Sequence, residues 1–197
     1  MSPLAQVVQT AYARQNAERL RSLTKRADSR VDSLLIRYRL YPLTEDEAVL
    51  KNIPTSLSDG SAREYALLSG LWAYRAGEAS VFSVIQYGRR SAQLLEEAKK
   101  QDADAPFVLL VEGQSLLFRP ALAGRDVEAA ARRFDQLAQI VRDGDVPGIA
   151  HAEAQVWRWL ALREAGQSRK AKALRKRLQE QDLPPLYQQF LDDPPEV

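Results

Sequence analysis

His151 is the only histidine of the chain, and it is the first residue whose chemistry could support catalysis. A histidine that acts as a general base needs an orienting carboxylate and a nucleophile within hydrogen-bond reach. The nearest acid along the sequence, Glu153, is two positions away and therefore projects from a different side of a helix. No serine or threonine flanks His151, so the sequence predicts a solvent-facing histidine without a catalytic role.

The acidic residues offer no arrangement suited to acid–base or metal chemistry. Pairs such as Glu96-Glu97 and Asp192-Asp193 are adjacent, and neighbouring residues on a helix point about 100° apart, so they do not converge on one atom. The chain has no cysteine, which removes thiol nucleophiles, and its glycines form no phosphate-binding motif. We therefore predict a non-enzymatic protein with no metal site and no cofactor. A hydrolase that uses carboxylates is kept as an alternative.

Basic residues define a second alternative, which is nucleic-acid binding through the N-terminal helices. Arginine suits phosphate recognition because its guanidinium group is a bidentate donor, and Tyr12, Tyr38 and Tyr41 are candidates for base stacking. The net charge of the chain is only +2, which favours a solvated basic surface, so nucleic acid is not the expected partner. The first 43 residues contain eight basic residues: Arg14, Arg19, Arg21, Lys25, Arg26, Arg30, Arg37 and Arg39.

The composition predicts an all-α protein. The 197 residues include 28 alanines and 27 leucines but only 13 valines, 5 isoleucines and 4 threonines, so strong helix formers outnumber β-branched residues. No segment reaches the ~20 apolar residues that cross a bilayer. Prolines and glycines divide the chain into about 8–10 segments with helical periodicity. The longer helices are predicted at 3–22, 27–41, 61–76, 80–101, 105–118, 126–142, 148–165 and 168–181, with a terminal one at 185–192.

The distribution of apolar residues separates inner from outer helices. In 168–181, Ala171, Leu174 and Leu178 share one narrow face, which predicts a helix with one buried side. In 61–76 the apolar residues cover more than half of the circumference, as in a helix packed between neighbours. Alternating inner and outer helices joined by short loops is typical of stacked helical hairpins. A further short helix is predicted after Thr44, where Thr44-Glu-Asp-Glu47 has the pattern of a capping box.

Three segments share a repeated frame, in which a large residue and a second residue three positions later are followed by a small residue in the next helix. The frames are Leu67-x-x-Gly70 with Ser91, Leu110-x-x-Gly113 with Ala130, and Val156-x-x-Trp159 with Ala171. Small residues allow the two helices of a hairpin to cross closely. The frames therefore predict one helical-repeat domain over 1–197. Its parts are an N-terminal helical pair or cap (1–44), three hairpins (59–103, 104–145 and 147–183), and a C-terminal cap and tail (184–197).

Four strings within 87–141 carry a family resemblance. They are Tyr87-Gly-Arg-Arg-Ser-Ala-Gln-Leu-Leu-Glu-Glu-Ala98, Ala105-Pro-Phe-Val-Leu-Leu-Val-Glu-Gly113, Leu117-Phe-Arg-Pro120 and Gly124-Arg-Asp-Val-Glu-Ala-Ala130. This region resembles a divergent bacterial group of tetratricopeptide-like (TPR-like) proteins, some of which are similar to the periplasmic component of TRAP transporters. The resemblance implies a right-handed stack of antiparallel helical hairpins, an α-α superhelix. Because many members are exported, it favours a periplasmic location, with a signal peptide removed, over a cytoplasmic one.

The resemblance also implies a binding site. In tetratricopeptide stacks the first helices of the hairpins line a concave face, and carrying this arrangement over places Tyr74, Arg75, Gln114, Phe118 and Arg163 toward the groove. Aromatic anchors, arginines and an amide suit recognition of an extended peptide or a small anionic ligand. We therefore predict a non-catalytic binding or scaffolding module that uses this face. Its partner is another protein or peptide, and self-association through the N-terminal helical pair is a further alternative.

Overall fold

Residues 3–197 are described by a computed structural model, and this part of the chain contains ten α-helices and no strand. The prediction of an all-α fold is therefore confirmed. Two short 3-10 turns, Glu47–Leu50 and Ala121–Ala123, lie in the connections. The helices are α1 (Pro3–Ala13), α2 (Ala17–Thr24), α3 (Arg30–Thr44), α4 (Ala62–Gly77), α5 (Val81–Asp102), α6 (Pro106–Phe118), α7 (Val127–Asp143), α8 (His151–Glu164), α9 (Ser168–Gln179) and α10 (Pro185–Asp192).

The N-terminal segment differs from the prediction of one helix over 3–22, which is wrong. The chain leaves α1 at Gln15, whose φ of 54° lies in the left-handed region. Asn16 then caps α2, because its side-chain oxygen accepts a hydrogen bond from the backbone N–H of Arg19 at 2.8 Å. An asparagine that satisfies a free N–H group in this way favours a new helix start over continuation of the old one.

The capping box predicted at Thr44 and Glu47 is also wrong. Thr44 is the last residue of α3, and its hydroxyl group donates a hydrogen bond to the carbonyl oxygen of Leu40. A capping box is present instead at the start of α4. The Ser61 side chain accepts from the backbone N–H of Glu64 at 3.3 Å, and the Glu64 carboxylate accepts from the backbone N–H of Ser61 at 2.8 Å.

This capping box gives a first testable prediction. Glu64 also accepts a hydrogen bond from Arg30 at 2.8 Å. Burial alone would raise the pKa of Glu64, but the hydrogen bonds from Arg30 and Ser61 outweigh burial and hold this pKa below its ordinary value of 4.5. A carboxyl group with a lowered pKa in the folded state stabilises the fold above pH 4.5 and loses this contribution as the pH falls through the folded pKa. We expect Glu64→Gln, which can keep the cap, to cost about 0.5–1 kcal/mol at pH 7.

The difference in unfolding free energy between wild type and Glu64→Gln is measured by urea titration at pH 7 and pH 3. It should shrink at the lower pH. Asn16→Ala is the matched control, because it removes a neutral cap, the one that accepts from the backbone N–H of Arg19, and should cost about 1 kcal/mol at both pH values. A Glu64→Gln deficit that grows toward pH 3 contradicts the assignment.

Three antiparallel helical hairpins, α4/α5, α6/α7 and α8/α9, make up most of the fold. The first hairpin is fixed at both ends. Near the end of α4, the Arg75 guanidinium group lies 4.9 Å from the centre of the Tyr87 ring in the first half of α5. Near the end of α5, the Gln101 amide donates to the carbonyl oxygen of Gly60, just before α4. The second and third hairpins contact each other through Arg125, just before α7, whose guanidinium group lies 3.8 Å from the carboxylate of Glu164 at the end of α8.

The first helices of the hairpins form a middle layer. Each of them contacts its partner α5, α7 or α9, while α4 also packs on α3 and α6, and α8 also packs on α7 and α10. The three helices start at the same end, because Arg63 in the first turn of α4 lies 4.4 Å from the Phe107 ring at the start of α6, and Arg39 contacts both Phe107 and Glu153 in the first turn of α8. The last turns of α4, α6 and α8 therefore lie at one end of the molecule, together with the start of α5. This layering agrees with the apolar faces expected for 61–76, because eight consecutive residues of α4, from Tyr65 to Trp72, are buried.

Two glycines in the middle layer make room for aromatic rings. A Cβ on Gly113 would lie 2.6 Å from the Phe134 ring of α7, and a Cβ on Gly70 would lie 2.5 Å from the Tyr38 ring of α3. The close crossing of α4 and α5 is instead made by Ser69 and Ser91, whose hydroxyl groups each donate to the other residue's carbonyl oxygen at 2.8 and 2.9 Å. The repeated frame therefore identified residues at which two helices approach closely. Its pairing of Gly70 with Ser91 is wrong, because Gly70 lies against Tyr38 of α3.

Candidate functional site

Helix α3 crosses the middle layer and is held there by polar side chains. Four of its side chains donate hydrogen bonds to acceptors on or next to a first helix, so the contact is specific in position as well as apolar. Such polar contacts fix the register of a helix on its support, because a shift by one residue leaves buried polar groups unpaired. The pairs are Arg30 with Glu64, Tyr38 with Gln114, Arg39 with Glu153, and Tyr41 with Glu78.

The pair of Arg39 and Glu153 is the most deeply buried of these contacts. The two side chains are 1% and 0% exposed, and they form two hydrogen bonds, of 2.5 and 2.9 Å. The second guanidinium nitrogen also donates to the carbonyl oxygen of Gly148 at 2.7 Å. Burial raises the pKa of Glu153, and the adjacent Arg39 guanidinium opposes that rise. The pair joins the N-terminal helices to the third hairpin.

Tyrosines surround this ion pair and fill the space between α1, α3, α4 and α10. The Tyr12 ring lies 4.6 Å from the guanidinium carbon of Arg39, and burial raises the pKa of Tyr12 to about 12. The Tyr187 hydroxyl of α10 accepts a hydrogen bond from Gln9 of α1 at 3.1 Å, and burial also raises the pKa of Tyr187. These phenol groups are structural, because Tyr187 is buried, Tyr12 is half-buried, and both contact other side chains of the chain.

The structure separates the five residues predicted to form the groove. Tyr74 stacks on Tyr38 and Tyr41 of α3, with ring centres 5.6 and 4.9 Å apart. Gln114 accepts a hydrogen bond from the Tyr38 hydroxyl at 2.5 Å. These two residues therefore lie together, beneath α3, and they bind the chain's own helix in this structure.

The other three predicted residues lie at the ends of the first helices. Arg75 covers the ring of Trp72 at 5.0 Å. Phe118 is 41% exposed and packs edge-on against Trp157 at 6.0 Å. Arg163 is 39% exposed, lies over Trp159 at 5.3 Å and pairs with the neighbouring Glu164. These three side chains are not in mutual contact, and they share one end of the molecule.

A regular spacing of arginines, missed in the sequence analysis, runs along this end. Arg75, Arg119 and Arg163 are 44 residues apart from one to the next, and each lies at the end of a first helix. Each is held by its own helix: Arg75 over Trp72, Arg119 by hydrogen bonds to the backbone and hydroxyl oxygens of Ser115 at 3.0 and 2.8 Å, and Arg163 over Trp159. We call these three residues the arginine edge. Their identical spacing was the signal that could have found Arg119.

Large apolar side chains are exposed at the same end. Phe82 and Ile85, in the first turns of α5, are 94% and 60% exposed. Leu122, in the 3-10 turn that follows α6, is fully exposed. Clustered exposure of large apolar residues on a folded protein is a feature of interaction sites.

The residues considered for catalysis, metal binding and base stacking have the following surroundings in the structure. His151 is exposed, as predicted, and its ring lies 3.3 Å from the Gln155 amide. The buried carboxylates Glu112 and Glu153 are each paired with basic side chains, and no group of three or more potential metal ligands occurs in residues 3–197. Tyr12 and Tyr38, considered for base stacking, point into the interior. No helix of the described chain is both long and apolar enough to span a bilayer.

Comparisons with protein-family models, with curated proteins and with solved structures found no match to this chain.

Proposed function

We propose that this chain is a non-catalytic binding module, built as a TPR-like stack of helical hairpins, that binds another protein or peptide. The observation that carries this proposal is the arginine edge, because an arginine stands at the end of each of the three successive first helices: Arg75 in the last turn of α4, Arg119 directly after α6 and Arg163 in the last turn of α8. A repeated residue at one end of stacked helices forms an extended array, which suits an extended or helical partner better than a small substrate.

The contacts of α3 support the same proposal in a second way. The middle layer already holds one helix by pairing polar groups from three successive hairpins, with Tyr74 and Gln114 among its contacts. The groove expected from the resemblance is thus occupied by the chain itself. We therefore expect an outside partner to bind at the end of the molecule formed by the last turns of α4, α6 and α8. Arg75 and Arg163 of the arginine edge, together with Phe118, are accessible there.

The proposal is tested by affinity capture with the purified, tagged full chain followed by mass spectrometry. We expect the double substitution Phe118→Ala and Arg163→Ala to reduce recovery of a specific partner at least about tenfold, since exposed aromatic and arginine anchors contribute most to binding. Helical content by circular dichroism should stay unchanged. Tyr74 is unsuitable for this test, because its stacking on α3 makes its removal a stability change.

The matched control is Lys176→Ala with Arg177→Ala, an exposed basic pair near the end of α9, which lies at the opposite end of the antiparallel α8/α9 hairpin from the arginine edge. These substitutions should leave partner recovery unchanged. Equal recovery by wild type and the Phe118/Arg163 variant would show that the partner does not use this end of the molecule.

A further inference from the structure

We infer that the partner presents an acidic segment with apolar side chains, and that this segment docks on the arginine edge together with the first turns of α5. The inference rests on the function proposed above and names the chemistry of its partner. Its evidence is that arginines without an ion-pair partner in the described chain and exposed apolar residues lie at the same end of the middle layer.

Several arginines at this end lack an ion-pair partner among the described residues. In the part of the chain that the structure describes, Arg75, Arg89, Arg90 and Arg119 make no ion pair with a carboxylate. Three carboxylates near the arginine edge have contacts within the chain, and the exposed Glu45, Asp46 and Glu47 lie on the α3 side of α4, away from α5. Glu78 accepts from Tyr41, Glu164 pairs with Arg163 and approaches Arg125, and Asp126 caps α7. Acidic groups of a partner would therefore meet arginines that have no competing internal partner.

The apolar part of the site is a stripe on α5. Phe82, Ile85 and Arg89 are spaced by three and four residues, so they lie on one face of the helix, with the two apolar residues at its start. Phe82 and Ile85 are the most exposed large apolar residues of this helix. The Arg75–Tyr87 contact ties the first half of α5 to the end of α4 and thus to the arginine edge. Apolar anchors beside free arginines fit an acidic segment that carries leucine or phenylalanine.

Two observations favour a protein segment over other polyanions. Glu45, Asp46 and Glu47 are exposed where α3 ends, beside the end of α4, so a flat anionic membrane at this end would meet them as well as the arginines. Nucleic-acid binding stacks successive bases on aromatic faces, and of the aromatic rings described at this end only those of Phe82 and Phe118 are exposed. Trp72 and Tyr87 are covered by Arg75, and Tyr74 is covered by α3.

The test uses the full chain and a fluorescein-labelled synthetic peptide of repeated Glu-Glu-Leu triplets, with repeated Lys-Lys-Leu as the charge-reversed probe. Fluorescence anisotropy should show binding of the acidic peptide and none of the basic one. Substituting Phe82→Asp and Arg89→Glu together should weaken binding at least about tenfold, since both side chains are exposed and make no internal ion pair. Arg177→Glu, near the opposite end of α9, is the matched control and should leave the affinity unchanged.

Each result decides the inference. Equal binding of both peptides, an unchanged affinity of the Phe82/Arg89 variant, or an equal loss in the α9 control would overturn it. Tighter binding of single-stranded RNA or of phosphatidylserine-containing vesicles than of the acidic peptide would overturn it in favour of those polyanions. If affinity capture still depends on Phe118 and Arg163 while the acidic peptide does not bind, the proposed function stands and the partner chemistry inferred here is wrong.

Discussion

Replacing Arg39 with methionine should destabilise the protein by about 3–5 kcal/mol at pH 7, because the substitution leaves the Glu153 carboxylate buried without its partner. Glu153 is completely buried, and its carboxylate oxygens accept both guanidinium hydrogen bonds. Methionine keeps much of the volume of arginine, so the loss is one of charge pairing rather than of packing. Urea unfolding followed by circular dichroism measures the change.

The pH dependence of this variant identifies the cause. Without Arg39, burial raises the pKa of Glu153 in the folded state further above its unfolded value, so the folded protein binds a proton more tightly than the unfolded chain. Stability then falls as the pH rises from the unfolded value of 4.5 toward neutrality. The deficit of Arg39→Met relative to wild type should therefore be smaller at pH 4 than at pH 7.

Two companion variants make the prediction decisive. Arg39→Met combined with Glu153→Leu removes both charges and should recover most of the lost stability, since an apolar pair has no uncompensated charge. Arg37→Met, on the same helix, removes only a hydrogen bond to the carbonyl oxygen of Lys51 and should cost no more than about 1 kcal/mol. A double variant as unstable as Arg39→Met would point to lost packing instead.

The helices were predictable from the sequence because their signal is local. The spacing of apolar residues gave α4 to α10 to within a few residues, and the two-sided apolar pattern of 61–76 indicated its place in a middle layer. The break between α1 and α2 was missed, because it depends on a left-handed Gln15 and on the Asn16 cap rather than on apolar periodicity. The capping box was placed one loop too early, at a threonine that ends a helix.

The contacts of the candidate site were less predictable, since they join residues that are distant in sequence. Arg39 and Glu153 are 114 positions apart. No local pattern marks either residue, since Arg39 follows Arg37 by two positions and Glu153 lies between His151 and Gln155. The resemblance predicted that Tyr74 and Gln114 face a groove, but a frame of repeated hairpins carries no information about α3. The contact of α3 with Tyr74 and Gln114 is therefore visible only in the structure.

Gly113→Ala should destabilise the protein by about 1–3 kcal/mol, although alanine is the better helix former, because a new Cβ has no space at this crossing. It would lie 2.6, 2.7 and 2.9 Å from three atoms of the Phe134 ring. That ring is fully buried and stacks on Trp157 with a centre distance of 5.8 Å, so it cannot move aside without disturbing a second contact. Thermal unfolding of the variant measures the loss.

Gly88→Ala is the matched control for Gly113→Ala, since both glycines lie inside a helix and only their surroundings differ. A Cβ on Gly88 meets nothing within 4 Å, so helix propensity decides and the substitution should stabilise the protein by about 0.5–1 kcal/mol. Phe134→Leu introduced beside Gly113→Ala should restore part of the lost stability by removing the ring atoms that clash. If Gly113→Ala were as stable as Gly88→Ala, the close approach of α6 and α7 at this crossing would be refuted, because steric exclusion is the only term that separates the two substitutions.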